Sequence, residues 1–131
     1  MDEGDACNKC TAENCIPDTD GCDIKLLGTD AKQQACWALY CCVRAKRCTD
    51  GTGDAGDPLR CWCGTANSDK CEMGLEAPNG PCAKEYSVAA ESTDPAKIFV
   101  RFVDPHYAIG GADNLVICRA TFCRDVCKLL P

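Results

Sequence analysis

Fifteen cysteines within 131 residues leave this chain few ways to fold. They are unevenly placed. Cys7, Cys10, Cys15 and Cys22 open the chain, and Cys36, Cys41, Cys42 and Cys48 occupy its middle. Cys61, Cys63, Cys71 and Cys82 follow an acidic loop, and Cys118, Cys123 and Cys127 lie near the end. Such a density is that of a disulfide scaffold. Because the count is odd, at least one cysteine is free, modified, metal-bound or joined to another molecule, a disulfide-linked dimer included.

Disulfides persist in oxidising compartments and are rare in the cytosol, so the expected location is the periplasm, the cell surface or the extracellular space. Met1-Asp2-Glu3-Gly4-Asp5 has neither the basic start nor the apolar run of a signal peptide. Met1 therefore reads as the start of an exported chain whose leader has been removed. No apolar stretch is long enough to span a bilayer. The formal net charge is −6, which argues against nucleic acid as a partner, since that needs a basic footprint. Arg44, Lys46 and Arg47 are the local exception, and they fall where cations offset the dipole at the end of a helix.

That helix is the expected hub. Ala35-Cys36-Trp37-Ala38-Leu39-Tyr40-Cys41-Cys42-Val43 carries no formal charge, and as a helix it is apolar nearly all round, so enclosure by the rest of the chain is expected. Asp30 and Gln33 suggest a capping box. The helix is expected from Ala31 to about Cys48, ending at Thr49-Asp50-Gly51. Cys36, Cys41, Cys42 and Cys48 would send bonds in different directions from it.

Around this hub the spacing predicts a mainly α, single domain over residues 1–131, with irregular cysteine-rich loops. Residues 1–82 form its cysteine-rich part and residues 83–131 a more conventional helical part. Cys7 and Cys10 lie one helical turn apart in a short opening helix. Leu59 to Gly64 reads as an extended segment, with Cys61 and Cys63 on one face and Trp62 on the other. Cys82 to Glu91 reads as helix with Tyr86, Val88 and Ala89 inward. Asp94-Pro95 starts another, in which Ile98, Phe99, Phe102 and Val103 share a side. Asp104-Pro105 is a third start, Gly110-Gly111 a bend or break, and Asn114 to Lys128 a final helix carrying its cysteines near one face.

Function is written less plainly. Cys7, Cys10, Cys61 and Cys63 have the short spacing that thiolate-bound metals use, yet the second Cys-x2-Cys of a zinc ribbon is missing. Asp18, Asp20 and Asp23 offer oxygens around Gly21, and Asp50, Asp54 and Asp57 do likewise, without the spacer and glutamate of an EF-hand loop. Calcium or a thiolate-bound metal is therefore the cofactor to weigh against none. His106 is the only histidine; a haem-attachment motif is absent, and a Cys–His nucleophile pair is the remaining catalytic idea. At a helix start His106 reads as a surface or capping side chain. Trp62 reads as packed against a disulfide.

The blocks Cys41-Cys42-Val43-Arg44-Ala45 to Cys48, Arg60-Cys61-Trp62-Cys63-Gly64-Thr65-Ala66, Gly80-Pro81-Cys82 and Cys118 to Cys127 resemble a pattern in cysteine-rich predicted bacterial lipoproteins and exported proteins. The resemblance covers most of the chain from Cys36 onward. It implies export and an envelope attachment, and it carries over no functional residue. Cys7 is the earliest position for a lipid anchor, although Met1 to Ala6 is not a lipobox. The resulting expectation is a non-enzymatic exported domain that binds a protein partner through loops such as Thr49 to Pro58 and Ala66 to Gly80. The alternative is a metal-binding or thiol–disulfide redox protein.

Overall fold

The computed structural model describes residues 5–15, 22–46, 48, 59–123 and 125–126. Among them are eight helices and no strand: α1 (Asp5–Asn14), α2 (Ile24–Leu27), α3 (Asp30–Lys46), α4 (Leu59–Cys63), α5 (Ser68–Glu72), α6 (Ala83–Ala90), α7 (Pro95–Arg101) and α8 (Ala108–Phe122). The mainly helical, disulfide-rich fold expected from the spacing is the fold observed.

The hub is α3, which packs against α2, α6 and α8. It buries Cys36, Leu39, Tyr40 and Val43, an i, i+3, i+4, i+7 stripe that faces the core. Trp37 and Ala38 on its other side are exposed. The expectation of enclosure all round is thus corrected: one stripe is buried, and Trp37 lies edge-on to Tyr40 at 5.8 Å. The cap is also corrected. Thr29, not Asp30, closes the helix, its hydroxyl accepting from the Lys32 N–H at 3.2 Å. Gln33 reaches outward instead, its amide donating to the Cys22 carbonyl at 3.1 Å. The Cys22–Cys36 bridge holds that carbonyl one turn away from Cys36 on the same face.

Among the described residues six disulfides fasten the helices. Cys10–Cys123 and Cys15–Cys118 lay α1 along the C-terminal end of α8. Cys22–Cys36, Cys42–Cys82 and Cys48–Cys61 run from α3 and its exit to the α2 loop, the start of α6 and α4. Cys63–Cys71 joins α4 to α5. Cys41 is a free thiol, so it is not one of the bonds expected to radiate from α3. One residue along a helix turns a side chain by about 100°, and that rotation aims Cys42 at α6 and Cys41 away from any sulfur.

Residues 59–63 are helical, which corrects the extended reading. Cys61, Trp62 and Cys63 are all buried. A strand would send the two cysteines one way, whereas a helical turn lets Cys61 reach Cys48 while Cys63 reaches Cys71. The carbonyls that such a short helix leaves open are taken by the returning chain: Asn79 N–H donates to Cys63, Gly80 N–H to Trp62 and Cys82 N–H to Cys61. Gly80 is required here, because a Cβ would run into the Cys61 carbonyl oxygen.

Helices α6 and α7 begin near their expected places, whereas α8 runs from Ala108 to Phe122 instead of the expected Asn114 to Lys128. Asp94 caps α7 by accepting from the Ala96 N–H at 3.0 Å, with Pro95 in the first turn. In α6, Tyr86 and Ala89 are buried, but Val88 is exposed. In α7, Ile98 and Phe102 point inward and Tyr86 stacks on Phe102 at 5.4 Å. Phe99 and Val103 do not share that side. Gly110-Gly111 neither bends nor breaks α8, which begins at Ala108. Gly110 lets the Asp104 carbonyl come so close that a Cβ would collide with it.

Candidate functional site

A seven-residue helix can turn only part of its surface inward, and α7 carries more apolar side chains than that part holds. Phe99 and Val100, with Val103 just beyond its end, remain 47%, 68% and 79% exposed. The helix packs against α5. There Gly74, at φ +76°, lies beside the ring of Pro95, so closely that a Cβ would stand 3.5 Å from its Cγ. The residues flanking that glycine, Met73 and Leu75, are exposed as well. Two exposed apolar groups distant in sequence are therefore carried by elements that pack on each other at Gly74 and Pro95.

The sequence-predicted metal positions are not brought together. Cys10 is bonded to Cys123, Cys61 to Cys48 and Cys63 to Cys71. The side chain of Cys7 lies outside the described residues, as do Cys127, Asp18, Asp20, Asp50, Asp54, Asp57 and the loop from Thr49 to Pro58. Asp23 is buried and caps α2, one oxygen accepting from the Lys25 N–H at 3.0 Å. Elsewhere the Cys42 and Cys82 sulfurs and a Glu85 carboxylate oxygen lie within 4.8 Å of one another. Those two sulfurs are bonded to each other, and a disulfide sulfur is not a thiolate donor. Cys41 is half-buried, and burial raises its thiol pKa.

His106 stands in solvent. Its backbone N–H and its ring Nδ1 both meet Asp104 Oδ1, at 3.0 and 3.2 Å. The backbone bond, chiefly, holds the Asp104 carboxyl below its usual range. Trp62 is fully buried, so it offers no ligand platform.

One titratable group was hidden in the sequence. Asp113, in the first half of α8, is buried, and its Oδ1 has no hydrogen-bond partner among the described residues. Burial pushes its carboxyl up to about 7. Gly110-Gly111-Ala112-Asp113-Asn114 has the composition of a turn, where an aspartate is unremarked. The exposed side of α7 was also missed, although five apolar residues among the six of 98–103 signal more than one buried stripe.

The six disulfides among the described residues fit an oxidising, exported environment. Among the described residues no helix is long and apolar enough to cross a membrane. No protein-family model, curated protein or solved structure matches this chain.

Proposed function

We propose that this chain is a non-enzymatic exported domain that binds a partner protein through the outer side of α7 and the turn from Met73 to Leu75. The observation that carries the reading is the exposed apolar surface made by Met73, Leu75, Phe99, Val100 and Val103. Large apolar side chains exposed together on packed elements are the composition of an interaction site. Leu75 lies in the segment from Ala66 to Gly80 that the sequence nominated as a binding loop. The bridges support the exported setting, and the resemblance of the cysteine blocks to exported bacterial proteins agrees with it. The Cys63–Cys71 bridge fixes α5 just before the turn from Met73 to Leu75, which limits the ordering cost of binding there.

Site-specific photocrosslinking in the producing cell tests this. A photoreactive residue at Val100 or Leu75 should yield one discrete heterologous protein adduct, and the same residue at exposed Lys84 on α6 should not. The adduct should vanish in Phe99→Asp/Val103→Asp. Identical products from Lys84, or no protein adduct from either surface position, would reject the proposal.

A further inference from the structure

Helices α3 and α6 run antiparallel and are fastened at both ends. Cys42–Cys82 joins the end of α3 to the start of α6. At the other end Lys32 meets Glu91, Nζ to Oε2 at 3.5 Å. Between the fasteners the facing side chains are small, and a cleft of about 320 Å³ remains, bounded also by the start of α8. Its floor is apolar: Ala89 and Ala108 are fully buried and Ala35 partly so. Ala31 and Val88 line its sides. Its polar groups are the Thr29 hydroxyl, the Lys32 ammonium and the Glu91 carboxylate, all at the end where α3 begins and α6 stops.

We propose that this cleft binds a small aliphatic zwitterion, the size of a free amino acid with an unbranched apolar side chain. The volume is at the lower end of ligand pockets. The apolar body would cover Ala35, Ala89 and Ala108. The ligand carboxylate would accept from Lys32 Nζ and the Thr29 hydroxyl, and its ammonium would donate to Glu91. Lys32 keeps its existing bond to the His106 carbonyl at 3.3 Å and its place over the Tyr107 ring throughout.

Charge complementarity selects the ligand class. A plain carboxylate would meet Glu91 and a plain amine would meet Lys32, each a like charge at short range; a zwitterion satisfies both. The existing pair is a single, long, partly exposed contact, the kind that contributes little and opens readily. Glu91 supplies an independent indication. It is the only non-glycine residue at positive φ among those described, at φ 57°, ψ 34°, where it caps α6. Glycine is the usual residue at that position because it adopts the left-handed conformation without strain. A glutamate there keeps its carboxylate at the cleft against a backbone preference, as strained residues at binding sites do.

The test is a titration of the intact, oxidised chain with L-norleucine, hexanoate and glycine, followed by amide shifts and by calorimetry. Norleucine should saturate and move the amides of Ala31, Ala35, Ala89 and Ala108. Hexanoate, lacking the ammonium, and glycine, lacking the chain, should each bind at least about tenfold more weakly. Glu91→Gln should lose norleucine binding by a similar factor, with an unchanged melting curve showing that it folds. Ala35→Leu should fill the cleft and abolish binding, and Lys32→Met should weaken norleucine as Glu91→Gln does. Hexanoate binding as tightly as norleucine, Glu91→Gln binding like the parent, or no shift up to the solubility limit of norleucine would each overturn the assignment.

Discussion

Adjacent cysteines on α3 allow a sharp comparison. Cys42 is bonded to Cys82, and Cys41 is free. Replacing Cys42 and Cys82 together by alanine removes the bridge without burying a serine hydroxyl at Cys82, which is fully enclosed. The bond spans 40 residues of sequence. Inside that span, Cys48–Cys61 and Cys63–Cys71 cut across 13 and 8 residues. They shorten the effective loop to roughly 20 residues, for which loop closure contributes about 3 kcal/mol. Cys41→Ala deletes one half-buried sulfur and should change stability by no more than about 1 kcal/mol. Urea unfolding of the oxidised protein, followed by circular dichroism, reads both. With a slope of roughly 1–1.5 kcal/mol/M for a chain whose bridges limit unfolding, the double variant should lose on the order of 2 M in midpoint. The single variant should stay close to the parent. If Cys41→Ala loses as much as the double variant, Cys41 carries the bond to α6, and the orientation assigned to α3 is off by one residue.

Two further outcomes follow from buried contacts. The raised carboxyl of Asp113, near pH 7 in the fold against 3.8 for an ordinary aspartate, means that the folded state holds the proton more tightly than the unfolded chain. Stability should therefore fall as pH rises from about 4 to 7, by up to about 4 kcal/mol, and level off above that range. Asp113→Asn should flatten this slope in urea titrations at pH 4.5, 6 and 8, and an unchanged slope would show that another group is responsible. Gly110→Ala should cost roughly 1–3 kcal/mol, because the added methyl meets the Asp104 carbonyl. Gly111→Ala, one residue along α8, is the comparison in the same melt: an equal loss there would trace the effect to the start of the helix instead of to that contact.

The helical content and the central place of α3 were legible because they rest on local signals: an uncharged run, Asp94-Pro95 as a helix start, and helical spacing. What escaped depends on partners distant in sequence. Leu59 to Gly64 carries alternation proper to a strand, but two bridges leading to different places, Cys48 and Cys71, require a helical turn. Asp30 and Thr29 are both good caps, and the Cys22–Cys36 bond, by occupying Gln33, decided between them. The periodicity of α7 set Phe99 with Ile98, one residue apart, yet only Ile98 lies against the core. Asp113 gave no signal because its burial comes from the whole bundle around α8. The candidate binding surface and the cleft were illegible for the same reason: each joins residues from segments that meet only after folding.

The disulfides fasten most of the short helices, but not the one that carries the exposed apolar surface. Helices α2, α4, α5 and α7 have 4, 5, 5 and 7 residues, well short of the roughly 12–15 at which an isolated helix becomes marginal in water. Ordinarily such segments hold together by burying every large apolar side chain, each worth about 1.5–3 kcal/mol. Here bridges at Cys22, Cys61, Cys63 and Cys71 fix α2, α4 and α5, whereas α7, which carries no cysteine, is held by packing against α5 and α6. Ile98 and Phe102 supply that packing, and Phe99, Val100 and Val103 stay outside the core. The Cys42–Cys82 tie keeps α3 and α6 at a fixed separation, so the alanines between them need not collapse on one another. If stability alone governed these positions, lysine or glutamate would serve on the outside of α7 with better solubility. In the proposed function, phenylalanine and the two valines are the side chains that the partner would cover. That inference makes Val103→Lys a clean discriminator: it should leave the urea midpoint within about 0.5 kcal/mol of the parent, yet remove the crosslinked partner.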